Sequence, residues 1–384
     1  TRYASHSSER ESRSWQRARR AREQATTMVR MELPQETNRF VDEARRLFSG
    51  RDGRIALTLV LAVTAAIEAF LYTPDTPDFP FEGQSGDPSA AVVLVVLAVL
   101  PLGLPTFWVS IAVEIFAFAL FAASLHLLMA VGGMVSFGHA AYFGLGAYGA
   151  ALLLQLAGLP MPVAFLGAPL VAALAAALFG YFCVRLSSIY FAMLTLAFAQ
   201  IVYAVVHQWD EVTGGDNGLL SIWPAPWLAA PGRYYYWALV ATLGGIVLLR
   251  LVSASPFGLT LRAARDHARR AEAVGVNIRA LQWTAFVVAG FVAGLGGAVF
   301  AFLKGSVFPV YTETPMSVQP LVMVLLGGVG SPSGPLIGAA VYKLLDTVIT
   351  RYTDYWQIVL GAILMVLVLA LPRGIAGVLD GRRS

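Results

Sequence analysis

Charge is scarce in this sequence. Asp, Glu, Lys and Arg make up 13% of 384 residues, about half the share of an ordinary soluble domain. Water is therefore not the main solvent of the folded chain. Cysteine is scarcer: the single one, Cys183, lies inside an apolar run and reads as a small packing residue, which excludes a disulfide framework or thiolate metal cluster within one chain. The signatures of soluble enzymes are missing too, with no GxxxxGKS/T phosphate loop, HExxH, GxSxG or CxxC. No catalytic residue, metal site or bound cofactor is expected. A chain of this kind that moves solute uphill draws its energy from a partner or an ion gradient.

What is present is apolar: 57% of residues are hydrophobic and the mean hydropathy is +0.67. Runs long enough to cross a hydrocarbon core, which takes about 20 helical residues, fall near 55–72, 90–108, 109–131, 140–158, 163–183, 188–206, 234–252, 283–303, 317–330, 334–350 and 356–371. Residues 1–54 hold 13 of the 27 Lys and Arg against 8 acids. They read as a basic cytoplasmic arm under the positive-inside rule, with no nucleic-acid partner implied. Phe40, Val41, Ala44, Leu47 and Phe48 recur at helical spacing, so residues 36–48 suit an amphipathic helix on the lipid surface. The arm has no apolar core of the kind a signal peptide needs, and Met28 and Met31 are alternative starts. A transmembrane domain over 55–372 and a cytoplasmic tail over 373–384 follow.

Orientation comes from the loop 253–282, where Arg262, Arg265, Arg269, Arg270 and Arg279 cluster, whereas 73–89 and 207–232 carry acids and no Lys or Arg. The Arg-rich loop is placed in the cytoplasm. Counting outward puts 207–233 and 304–316 outside, and Arg185, the turn 330–334, Arg382 and Arg383 inside. A cytoplasmic N-terminus and a cytoplasmic Arg185 need an even number of crossings, yet five candidates lie between them. The suspect is the stretch 132–149, because dense glycine weakens a helix and irregular backbone at membrane depth needs surrounding protein or a watery cavity. The expected fold class is an all-α integral membrane bundle of about ten transmembrane helices with this one broken or re-entrant Gly-rich element.

Three stretches stand out from a generic bundle. In GGMVSFGHAAYFGLGAYGAAL, residues 132–152, glycines alternate with aromatics; small residues admit close helix approach, and a helix break exposes backbone groups to a polar ligand. Thr213, Gly214, Gly215, Asp216, Asn217 and Gly218 form an external turn flanked by Trp209, Trp223 and Trp227, which suits the membrane interface and can dock a partner. SPFGLTLRAARDHARRAEAVGVN, residues 255–277, reads as a short cytoplasmic helix whose mild apolar face is Leu261, Ala264, Ala268, Ala271 and Val274. Polar residues in or near spans are Glu68, Glu114, His126, His139, Gln155, Gln200, Lys304, Lys343 and Asp346. Lys343 and Asp346, three apart, most simply neutralise each other, and His139 beside the break is the best placed to meet solute.

From about Leu100 to Leu379 the sequence resembles the LivM-type permease subunits of branched-chain amino acid ABC importers. The likeness is carried by SFGHAAYFGLGAY, RLSSIYFAMLTLAFAQI, the TGGDNG loop, residues 255–277, LVMVLLGGVGSPSGPLIGAA and the closing LPRGIAGVL. It implies a bacterial inner-membrane heterodimer with a second permease, two cytoplasmic ATPase subunits that use ATP and Mg, and an external solute-binding protein. Glu272, Ala273 and Gly275 then correspond to the segment that docks on the ATPase, with Arg262, Arg265 and Asp266 in the same coupling helix. Gly132, Gly133, Ser136, Gly138, His139 and Tyr142, with Gly327, Gly328 and Ser331 of a second GGxxS, are candidates to line the path. The implied cargo is a branched-chain amino acid, with urea or a short amide as the alternative. A secondary transporter or channel is the rival from another class. The 1–50 arm and the basicity of 267–270 depart from the family pattern.

Overall fold

A computed structural model describes residues 104–350 apart from 187, together with 97, 100, 101, 355, 358, 360–365 and 374–376. The chain divides into residues 1–58 and 59–384, and every described residue belongs to the second unit. The basic arm with the helix expected over 36–48, the candidate span 55–72, and most of 90–108, of 356–371 and of the tail 373–384 lie outside the described residues.

After Pro105, helix α1 (Thr106–His126) continues into one π-helical turn, Leu127–Val131. Nearly every side chain from Trp108 to Leu125 is buried. A helix buried on nearly all sides belongs in the middle of a bundle. The chain continues through α2 (Ala140–Gln155), α3 (Met161–Cys183), α4 (Ser188–Gln208) and α5 (Pro231–Ala254), of which α5 packs along α1. Two short helices follow, α6 (Pro256–Asp266) and α7 (Ala268–Ala273), then α8 (Ile278–Lys304), α9 (Thr314–Gly327) and α10 (Gly334–Thr350). With its π turn, α1 is long and apolar enough to cross a membrane, as are α3, α4, α5 and α8, while α2 and α9 are shorter apolar helices. On α3, Leu166, Leu170, Leu174 and Leu178 are exposed at four-residue spacing. That row faces outward from the bundle, as a lipid-facing stripe does.

Small residues on α8 set the closest packing. A Cβ on Gly290 or Gly294 would meet Ala176 or Ala172 of α3, and one on Gly297 would strike the Phe143 carbonyl oxygen of α2. Gly146 of α2 likewise abuts the Gly294 backbone. Without a hydrophobic drive between helices in lipid, this close van der Waals approach is what holds the bundle together.

The glycine-rich stretch is broken over a shorter length than its composition suggests. Only residues 132–139 leave the helix, and Ala140–Gln155 then runs unbroken for about 24 Å. Its Tyr142, Gly146 and Ala147 meet successively later positions of α8 (Phe286, Gly294, Gly297), so the two helices run parallel. The expectation that 132–149 is broken along its whole length is corrected for residues 140–149, which are helical. Gly144, Gly146 and Gly149 act there as packing surfaces against Thr312, Gly294 and Val171, a use that composition does not separate from helix breaking.

At the end of the bundle where α2 finishes, β1 (Leu219–Leu220) pairs antiparallel with β2 (Ser306–Val307). Gln155 Nε2 donates to the Leu220 carbonyl at 2.6 Å. At the opposite end lie α6, α7, the π turn with the break that follows, and the turn between α9 and α10.

Candidate functional site

The π turn frees a carbonyl. Gly132 N–H reaches back to Leu127 O at 3.1 Å and Met134 N–H to Leu128 O at 2.9 Å, so the donor that an α-helix would supply to Ala130 O is used elsewhere. Arg265, from the last turn of α6, donates its Nη1–H to that Ala130 carbonyl. Its aliphatic stem covers Gly133, which sits at φ 66° and where a Cβ would meet Arg265 Cγ. Asp266 holds the guanidinium from the other side at 2.8 Å. That hydrogen bond, with the positive charge behind it, keeps the exposed Asp266 carboxyl below its ordinary range.

The same end of α1 also grips the second break. His126 Nε2 lies 2.9 Å from the Val329 carbonyl oxygen, within the α9–α10 turn. In that turn Gly327 and Gly334 pack backbone to backbone, Gly374 packs on Gly328, and Ser331 and Ser333 share a hydrogen bond of 2.9 Å. Both GGxxS segments are therefore tied to the end of one central helix. Neither Ala130 nor Val329 is marked in the sequence, because each acts through its backbone.

The remaining path candidates are buried inside the chain. His139 is fully buried, hydrogen-bonded through Nε2 to Ser124 Oγ at 2.8 Å and stacked on Phe121 with centroids 5.7 Å apart. Its Nδ1 and the Ser136 hydroxyl have no hydrogen-bond partner. Tyr142 packs edge-on to Phe286, Gly138 lies against the Thr195 backbone of α4, and Gly132 is buried at the π turn. Ser317 of α9 caps the break by accepting from Ala140 N–H at 3.0 Å.

The Arg-rich segment differs from its expected amphipathic face. Leu261, Ala264 and Ala271 are buried, whereas Ala268 and Val274 are exposed. The cause is His267, whose φ of −145° and ψ of 75° break the helix between α6 and α7 and rotate the face. Arg262, Arg265, Asp266, Glu272, Ala273 and Gly275 are all exposed, with Gly275 at φ 90° after the last turn. At the other end of the bundle, Asp216 and Asn217 are exposed. Thr213 turns inward to the Val206 carbonyl at 2.6 Å, Gly214 and Gly215 hold left-handed backbone, and Gly218 abuts the Val307 carbonyl.

A family model described as the permease component of branched-chain amino acid transport systems matches residues 107–369. The chain belongs to this family. It is a membrane permease subunit of an ABC importer. It is similar to the high-affinity branched-chain amino acid transport permease LivM of Escherichia coli K12, with 26% identity over 313 residues, 74% of this chain and 73% of the relative. LivH of the same organism is 26% identical over 141 residues, 36% of this chain and 46% of its own length. A LivM relative from Methanocaldococcus jannaschii is 23% identical over 175 residues, 44% and 50% of the two chains. A solved inward-facing structure, titled as of metal-chelate ABC transporter type, covers 83% of this chain and 98% of its own at 17% identity and a TM-score of 0.41, a likeness too slight to argue from.

Proposed function

We propose that this permease carries branched-chain amino acids, or close relatives of them, across the bacterial inner membrane by alternating access. A second permease subunit completes the path and an external solute-binding protein delivers cargo near Asp216 and Asn217. One of two ATPase subunits docks on the exposed side of residues 256–275, where Arg262, Asp266, Glu272, Ala273 and Gly275 meet it. About ten spans in the full chain give this arrangement its sidedness.

The observation that carries the reading is the Arg265 contact. An exposed basic helix is weak support by composition alone, since it also satisfies topology rules. One whose last turn grasps a carbonyl freed by a π turn in the central helix has a route for force. Closure of the ATPases pushes α6, Arg265 moves Ala130 and Gly133, and α1 shifts both breaks through its own chain and through His126. The irregular hydrogen-bond register of the π turn is where α1 bends in this scheme.

Reconstitution tests the function. Proteoliposomes holding both permeases and both ATPases, with the binding protein on the outer side, are expected to accumulate leucine only with internal ATP and to be unaffected by a protonophore. Uptake by this chain alone, or its loss on adding the protonophore, contradicts the proposal.

A further inference from the structure

The sequence contains only two lysines, Lys304 and Lys343, among 27 basic residues, and both rest on one carboxylate. Lys343 Nζ lies 3.0 Å from Glu114 Oε1, and Lys304 Nζ lies 3.3 Å from Glu114 Oε2. Asp346 takes Lys343 at 2.8 Å. The four groups alternate in sign from α8 through α1 to α10, with Glu114 about 12 Å along α1 from Thr106. The Lys304 side chain is 40% exposed, whereas those of Glu114 and Lys343 are 11% and 9% exposed. The chain of charges thus opens at Lys304.

Helix packing does not account for this arrangement. Each ion withdrawn from water costs several kcal/mol, and apolar side chains of similar volume hold helices together at least as well. Ionisable groups within membrane bundles mark pathways more often than they serve as glue. The stoichiometry is informative. Lys343 and Asp346 neutralise each other within α10, so the Lys304–Glu114 pair can separate without leaving Lys343 unbalanced.

Resting on the reading of amino-acid import above, we propose that the Lys304–Glu114 pair receives the charged head of a zwitterionic α-amino acid. The Lys304 ammonium takes the carboxylate of the solute and Glu114 takes its ammonium, while Asp346 holds Lys343. Net charge is zero before, during and after the exchange. Aromatic rings back the pair: Lys304 Nζ lies 5.3 Å from the ring centroid of buried Phe300, and Tyr311 packs edge-on to Phe300 at 5.1 Å. An uncharged amide such as urea has nothing with which to part the pair.

The test uses the complete complex in proteoliposomes, with the double variant Glu114→Gln/Lys304→Met, which removes one charge of each sign and keeps the Lys343–Asp346 pair. With the partners still co-purifying, leucine uptake is expected to fall about tenfold or more, the worth of a lost hydrogen bond to a charged group. Uptake within about twofold of wild type would reduce the pair to a strut and overturn the proposal. Where the double variant does not assemble, the wild-type complex decides. Acylation of Lys304 by an amine-directed reagent, read by mass spectrometry, is expected to slow about fivefold at leucine concentrations several times its dissociation constant, and not with urea. Equal rates with and without leucine overturn it. A wild-type complex that imports no leucine overturns instead the reading on which the proposal rests.

Discussion

Gly297→Val is expected to abolish accumulation of the folded protein. The new side chain would drive its Cβ into the Phe143 carbonyl oxygen and crowd the Ala147 amide, both backbone groups of α2, so no rotamer change relieves the clash. Either α2 leaves α8 or α8 shifts from α3, where Gly290 and Gly294 are already closed on Ala176 and Ala172. Overpacking that only backbone movement can relieve costs about 3 kcal/mol or more, and lipid offers no compensating hydrophobic drive. The measurement is the monodisperse fraction after mild detergent extraction. Gly244→Val is the control: it lies on α5 with nothing within 4 Å of a built Cβ, and extraction is expected at the wild-type yield.

Arg265→Ala is expected to uncouple the importer. Losing the guanidinium leaves the Ala130 carbonyl without its donor, and losing the stem uncovers Gly133. A hydrogen bond from a charged group is worth about 1.5–3 kcal/mol, enough to lower uptake about tenfold to a hundredfold while ATP hydrolysis continues. The informative readout is therefore solute moved per ATP hydrolysed. Arg265→Lys is expected to fall between, because a single ammonium keeps the charge and lacks the planar fork that reaches both Ala130 and Asp266. A variant that loses uptake and hydrolysis in proportion, with transport per ATP unchanged, would contradict the role given to Arg265.

Much of this architecture is legible in the amino acids, and what is not has physical reasons. Long apolar runs mark α1, α3, α4, α5 and α8 because lipid demands about 20 apolar residues for each crossing. The arginines of 262–270 mark the basic segment for a similar reason, and Lys343 with Asp346 pair as their spacing suggests. Glycine misleads, since Gly133 permits a break at φ 66° while Gly146, in the same motif, permits close packing inside a helix. One residue type serves both ends, and only the neighbouring helix decides between them. The Glu114–Lys304 contact spans 190 positions and leaves no periodic trace. The exposure of Ala268 and Val274 turns on the backbone angles of one residue, His267, which helical periodicity does not anticipate.

The most direct measurement is labelling of a cysteine placed at Arg269, in a chain whose buried Cys183 is changed to alanine, with a membrane-impermeant thiol reagent. Labelling in inverted vesicles but not in right-side-out ones, with protection when the ATPase subunits are bound, is the predicted result. Labelling from the outer side, or no protection by the ATPases, would contradict the claim that this segment receives their motion.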